Sequence, residues 1–93
     1  MIPKHGRRDQ NEPAIIAALR SVGASVVSLS IPDGPDLLVG LRGKTYCFEI
    51  KTETGKLRKG QKVFSQTWEG HYAVVRSVDE ALAEIGLIGA ESN

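Results

Sequence analysis

Two apolar segments flank Arg42-Gly43 in the run DLLVGLRGKTYCFEIK, residues 36–51, and this hairpin restricts the fold more than any other feature. If Arg42 and Gly43 form a two-residue loop, Leu41 faces Lys44, and stepping outward pairs Asp36 with Glu49. Leu37, Val39, Tyr46, Phe48 and Ile50 then share one face as an apolar layer. Asp36, Glu49 and Lys51 fall together on the other face. A three-residue loop with its bulge at Gly43 shifts the register by one and turns Glu49 over; the coherent apolar layer favours the first arrangement.

That register sets two acids directly across from each other, with Cβ atoms expected about 4.5–5.5 Å apart. Like charges at about 4 Å repel by around 4 kcal/mol at a surface-like dielectric, so folding alone gains nothing from the pair. A divalent cation between them removes the penalty, and carboxylate oxygens are ligands that Mg²⁺ prefers. A lysine beside such a pair can stabilise a hydroxide or the extra charge on a phosphate transition state. The hairpin reads as built to hold a metal.

The remainder of the chain fits one domain, 1–93, with its core at about 9–88 and frayed termini. At 93 residues, 41% hydrophobic and 25% charged, it has the composition of an ordinary globular domain near the small end of what folds alone. Cys47 is the only cysteine, which excludes an intrachain disulfide and a cysteine-built metal cage. No apolar run approaches the roughly 18 residues of a membrane span, and MIPKHGRRDQ has no leader-like apolar region, so a cytoplasmic location is expected. Net charge is only +1, but Lys51, Lys56, Arg58, Lys59 and Lys62 fall within twelve residues that hold one acid, Glu53. Arg7 and Arg8 form a second, smaller cluster. A segregated basic segment suits a local contact with a polyanion.

DQNEPAIIAALRSVG reads as a helix: Asp9 or Asn11 can cap it, Pro13 suits its first turn, and Ile15, Ile16, Leu19 and Val22 form a stripe ended by Gly23. ASVVSLSI is a strand, IPDGP a loop, and the two hairpin strands follow. A basic, Gly-punctuated loop leads to a second helix, Lys59 to about Glu69, with Val63, Phe64 and Trp68 on one face. HYAVVRS is a fourth strand, parallel to a neighbour because it follows a helical crossover. Ser77 caps a third helix, with Glu80 completing a capping box. The order is α-β-β-β-α-β-α, an α/β sandwich with a mixed sheet and helices on its faces.

Pro35-Asp36, thirteen residues before Glu49-Ile50-Lys51, resembles the PD-(D/E)XK nuclease signature. GPDLLVG, FEIK, GKLRKGQKVF and YAVVRSVDEAL together resemble the virus-type replication-repair nuclease (VRR-NUC) branch over roughly Glu12 to Leu82. The resemblance implies a restriction-endonuclease-like fold and a Mg²⁺-dependent endonuclease, with Mn²⁺ able to substitute. Asp36, Glu49 and the Ile50 backbone carbonyl are the implied metal ligands, and Lys51 is the implied catalytic lysine. Gln61 matches the glutamine that opens the family's second helix and orders the site. Glu12 matches an acid that reaches the metal through water, although a helix-start acid also complements the helix dipole. Stand-alone viral members are small homodimers resembling Holliday junction resolvases, which implies a four-way or other branched DNA substrate in a viral or bacterial host cytosol. No small-molecule cofactor and no membrane are expected. A two-fold dimer also suits a junction, since two symmetric cuts need two sites.

Lys56, Arg58, Lys59 and Lys62, with Arg7 and Arg8, are the candidate DNA contacts. A flap- or nick-directed nuclease, or a DNA-binding module that does not cleave, are the alternatives. His5 and His71 lack ligand-like spacing and suit surface or loop roles, and Cys47 reads as a strand filler. Trp68 is a core or dimer-contact candidate. Asp33 belongs to a turn, and Arg76 is either solvated or a phosphate contact.

Overall fold

The computed structural model describes residues 9–87. The elements follow in the expected order: α1 (Glu12–Ser21), β1 (Ser25–Ser28), β2 (Leu37–Leu41), β3 (Lys44–Ile50), α2 (Lys59–Thr67), β4 (Ala73–Val75) and α3 (Val78–Glu84). The four strands form one sheet in the order β1-β2-β3-β4. The first three pair antiparallel, and β4 returns through α2 to lie parallel to β3. Arg7 and Arg8 lie outside the described residues. Among the described residues, no helix is long and apolar enough to cross a membrane.

The hairpin register is the two-residue one: Leu41 pairs with Lys44, Val39 with Tyr46 and Leu37 with Phe48. Arg42 and Gly43 both take positive φ, 55° and 81°, the conformation of a type I′ turn, whose twist matches the strands it joins. Arg42 is a costly residue there, because its Cβ crowds the following carbonyl.

One face of the sheet carries Val26, Leu37, Val39, Phe48, Ile50 and Val75, and it packs on Ile15 and Leu19 of α1 and Ala81 of α3. Helix α1 closes differently from the apolar-stripe reading. Val22 is the C-cap and 40% exposed, because the helix ends at Ser21 and Gly23, at φ 95°, turns the chain into β1. Trp68 is 46% exposed and so is not a core residue. Its indole Nε1 donates to the His71 carbonyl (3.0 Å), and its ring stacks on Phe64. Helix α3 is capped by Ser77, whose hydroxyl accepts the Glu80 N–H (3.0 Å). The Glu80 carboxylate reaches back one residue further than in a capping box and accepts the Arg76 N–H (2.7 Å).

Arg42→Asn should stabilise the hairpin by roughly 0.5–1 kcal/mol, since asparagine tolerates the left-handed region. In a domain of this size that raises Tm by about 2–8 °C, measurable by thermal unfolding followed by circular dichroism.

Candidate metal centre

The residues singled out from the hairpin meet at one corner of the sheet, where β2 begins and β3 ends. Glu49 is 2% exposed. A buried carboxylate is strongly unfavourable unless donors or cations face it. Gln61 Nε2 donates to Glu49 Oε2 (2.9 Å), and the Lys51 ammonium lies 3.7 Å from the same oxygen. Lys51 follows Ile50 out of β3, so strand alternation returns its side chain to the face of Glu49. Its backbone is held on both sides: its N–H donates to the Val75 carbonyl (3.1 Å), and its carbonyl accepts from Asn11 Nδ2 (3.0 Å).

Asp36 arrives by a different route from the one its register implied. The regular ladder stops at Leu37–Phe48. The Asp36 N–H bonds the Phe48 carbonyl (2.9 Å), so the chain bends at this residue. The Asp36 carboxylate then accepts the Ile50 N–H (2.9 Å), in place of the main-chain acceptor that a continued ladder would offer. Asp36 therefore comes to the corner around the end of β2, bound to the backbone beside Glu49. The Ile50 carbonyl points to the same edge of β3 as its N–H, which is the edge of Asp36.

Gln61 is 4% exposed and works in two directions. Its Oε1 accepts the Arg58 N–H at the start of α2 (2.8 Å), while its amide nitrogen holds Glu49. Glu12, also 4% exposed, opens α1. Its neighbour Asn11 is no side-chain cap, despite its position. The Asn11 amide instead donates to the Lys51 and Arg76 carbonyls (3.0 and 3.1 Å), pinning the start of α1 to the ends of β3 and β4.

Lys56, Arg58, Lys59 and Lys62 are all exposed beside this corner. Arg58 also lies 3.4 Å from Asp33, an exposed pair of small energetic weight. The loop 51–58 that carries the segment is held by Arg76, whose Nη1 donates to the Thr52 and Gly55 carbonyls (both 2.7 Å). Arg76 is thus a loop staple rather than a simple solvated side chain. His71 is likewise built in: Nδ1 accepts the Cys47 N–H (3.1 Å), and Nε2 lies 3.0 Å from Glu84. Burial pushes the Cys47 thiol up, as expected of an inert filler.

The sequence reading missed Tyr72. Its ring packs against Phe64 of α2, with centroids 5.3 Å apart. Its phenol is pushed well above the usual tyrosine range, first by burial and then by the charges of Glu49 and Asp36. It therefore keeps its proton in the field of both carboxylates.

Among the described residues, no three His, Cys, Asp or Glu side chains are gathered into a ready-made metal cage. The oxygen donors at the corner are the Asp36 and Glu49 carboxylates and the Ile50 carbonyl. That set suits Mg²⁺, which binds through one or two carboxylates and keeps several waters. No family model, curated protein or solved structure matches this chain.

Replacing Gln61 tests its double role. In EDTA, Gln61→Ala should cost about 1–3 kcal/mol in urea unfolding, because it removes both the cap acceptor and the Glu49 donor. Gln61→Glu keeps the cap acceptor but sets a second carboxylate against Glu49. It should be more destabilised near neutral pH than in mild acid, where protonation of either carboxyl relieves the pair.

Proposed function

We propose that this chain is a Mg²⁺-dependent endonuclease of the VRR-NUC kind, with a restriction-endonuclease-like fold, cutting branched DNA as a homodimer. The observation that carries this reading is the Glu49 carboxylate, buried yet clamped by Gln61 and Lys51, beside an Asp36 fixed by the Ile50 N–H. An apolar sheet has no folding use for that constellation at its corner, and metal-assisted hydrolysis has a use for each member.

Asp36, Glu49 and the Ile50 carbonyl would hold the cation, which would supply Lewis acidity toward a phosphodiester. Lys51, a compact positive charge 3.7 Å from Glu49, offsets the negative charge that grows on the phosphate in the transition state. Gln61 keeps Glu49 in one orientation, so that no reorganisation is needed during reaction. The exposed Lys56, Lys59 and Lys62, with Arg58, engage backbone phosphates without reading sequence, which suits recognition by DNA shape. Val63 on α2 and Trp68 at its C-cap, 52% and 46% exposed, give a second copy an apolar surface to cover.

The test is cleavage of labelled four-way junction, flap, nicked and linear DNA with Mg²⁺, Mn²⁺ or EDTA. The expected result is metal-dependent, paired cutting of the junction by a species of about twice the 10.0 kDa chain mass in light scattering. Asp36→Asn and Glu49→Gln should each lower cleavage by at least about 100-fold while staying within roughly 1 kcal/mol of wild-type stability, since each replacement keeps an acceptor in place. Lys51→Ala should lower turnover far more than junction affinity. Wild-type rates in either acid variant overturn the metal assignment, and preferential flap cutting moves the substrate to replication flaps.

A further inference from the structure

Tyr72 belongs to neither the sheet core nor the ligand set just described. In the parallel register Glu49 pairs with Val74 and Phe48 with Ala73. One further step back sets Tyr72 beside Cys47, on the face that carries Glu49. Phe64 packs against the ring at 5.3 Å and in turn stacks on Trp68 at 5.4 Å. The phenol is held by packing rather than by its own hydrogen bond. Its hydroxyl oxygen is buried, and among the described residues it has no hydrogen-bond partner. It bonds neither carboxylate, although it sits in the field of both. Buried hydroxyls without partners are uncommon because they lose water and gain nothing in return, so each one asks for a reason.

We propose that the Tyr72 hydroxyl donates a hydrogen bond to an oxygen, of water or of a phosphodiester, seated between Asp36 and Glu49, and so positions that oxygen for reaction. The proposal rests on the cation-binding reading of Asp36 and Glu49. A tyrosine phenol carries its proton at neutral pH, so its hydroxyl has a hydrogen to donate there. The atoms a donor can serve at an all-oxygen metal corner are the oxygens that complete the shell. The ring is rigid, with two rotatable bonds and an aromatic support, so the donor is aimed in advance and costs little ordering on binding.

Tyr72→Phe tests this with small risk to folding, because it keeps the ring and its contact with Phe64 and removes one oxygen. In EDTA the variant should unfold at the wild-type temperature or above it, since an unmet polar group has gone. Single-turnover cleavage at saturating junction should fall by about 10- to 100-fold, the usual size of losses at groups that orient a metal shell, with junction affinity changed by less than about two-fold. Calorimetric titration with Mn²⁺ alone identifies the oxygen. Weaker Mn²⁺ binding without DNA assigns it to water, and unchanged Mn²⁺ binding with the cleavage loss intact assigns it to the phosphodiester. Wild-type turnover in Tyr72→Phe overturns the proposal, as does a loss of activity that merely tracks a lowered unfolding temperature. If the wild-type chain cleaves none of the DNAs, the nuclease reading fails, and the Mn²⁺ isotherms decide the hydroxyl separately: weaker binding in the variant upholds its role, and equal or absent binding in both overturns it.

Discussion

A carboxylate as deeply buried as Glu49 has to be surrounded by donors, and supplying them shapes half the molecule. Gln61 gives one, and it does so from the first turn of α2, where its carbonyl oxygen also closes the start of that helix. Lys51 sets a positive charge 3.7 Å from the same carboxylate, and its backbone is anchored to β4 and to Asn11. Asn11 in turn ties the start of α1 to the ends of β3 and β4. A chain of contacts thus runs from Glu49 to the first turn of α2, to the end of β3 and, through Asn11, to the start of α1.

The two faces of the sheet divide the labour. Aliphatic packing on α1 and α3 supplies a dry core around Phe48, Ile50 and Val75. The opposite face is mixed: Cys47, Glu49 and Tyr72 lie there, the last two touched by α2, whose buried residue is the polar Gln61. Strand alternation makes this possible, because Phe48 and Ile50 are buried by the core while Glu49 between them faces the other way. The fold places a polar corner against a rigid backing without opening the core to water.

The hairpin was legible in sequence because a two-residue turn and a period of two leave little freedom, and Leu41 does face Lys44. The bend at Asp36 was not. It depends on a side chain competing for a main-chain N–H, a choice that alternation cannot reveal. Gln61 was marked by its place in a family-like motif, but its dual bonding was not, since the cap and the carboxylate are far apart along the chain. Arg76 and Asn11 escaped for a similar reason: both serve carbonyls distant in sequence, so their local context suggested a solvated or phosphate-binding arginine and a helix cap. Tyr72 needed the offset between β3 and β4, which no residue pattern encodes in a parallel pair joined by a crossover.

The attachment of α2 has a consequence for how the molecule comes apart. The helix has nine residues, most of them exposed, and its recorded links to the sheet face are the Gln61–Glu49 bond and the contact of Phe64 with Tyr72. A segment so lightly held opens on its own, well before the aliphatic core yields. Each opening withdraws the Gln61 amide from Glu49 and the Phe64 ring from Tyr72. The corner is dismantled while the sheet stays whole, so the lifetime of the assembled site follows the opening of one short helix rather than the global stability of the fold.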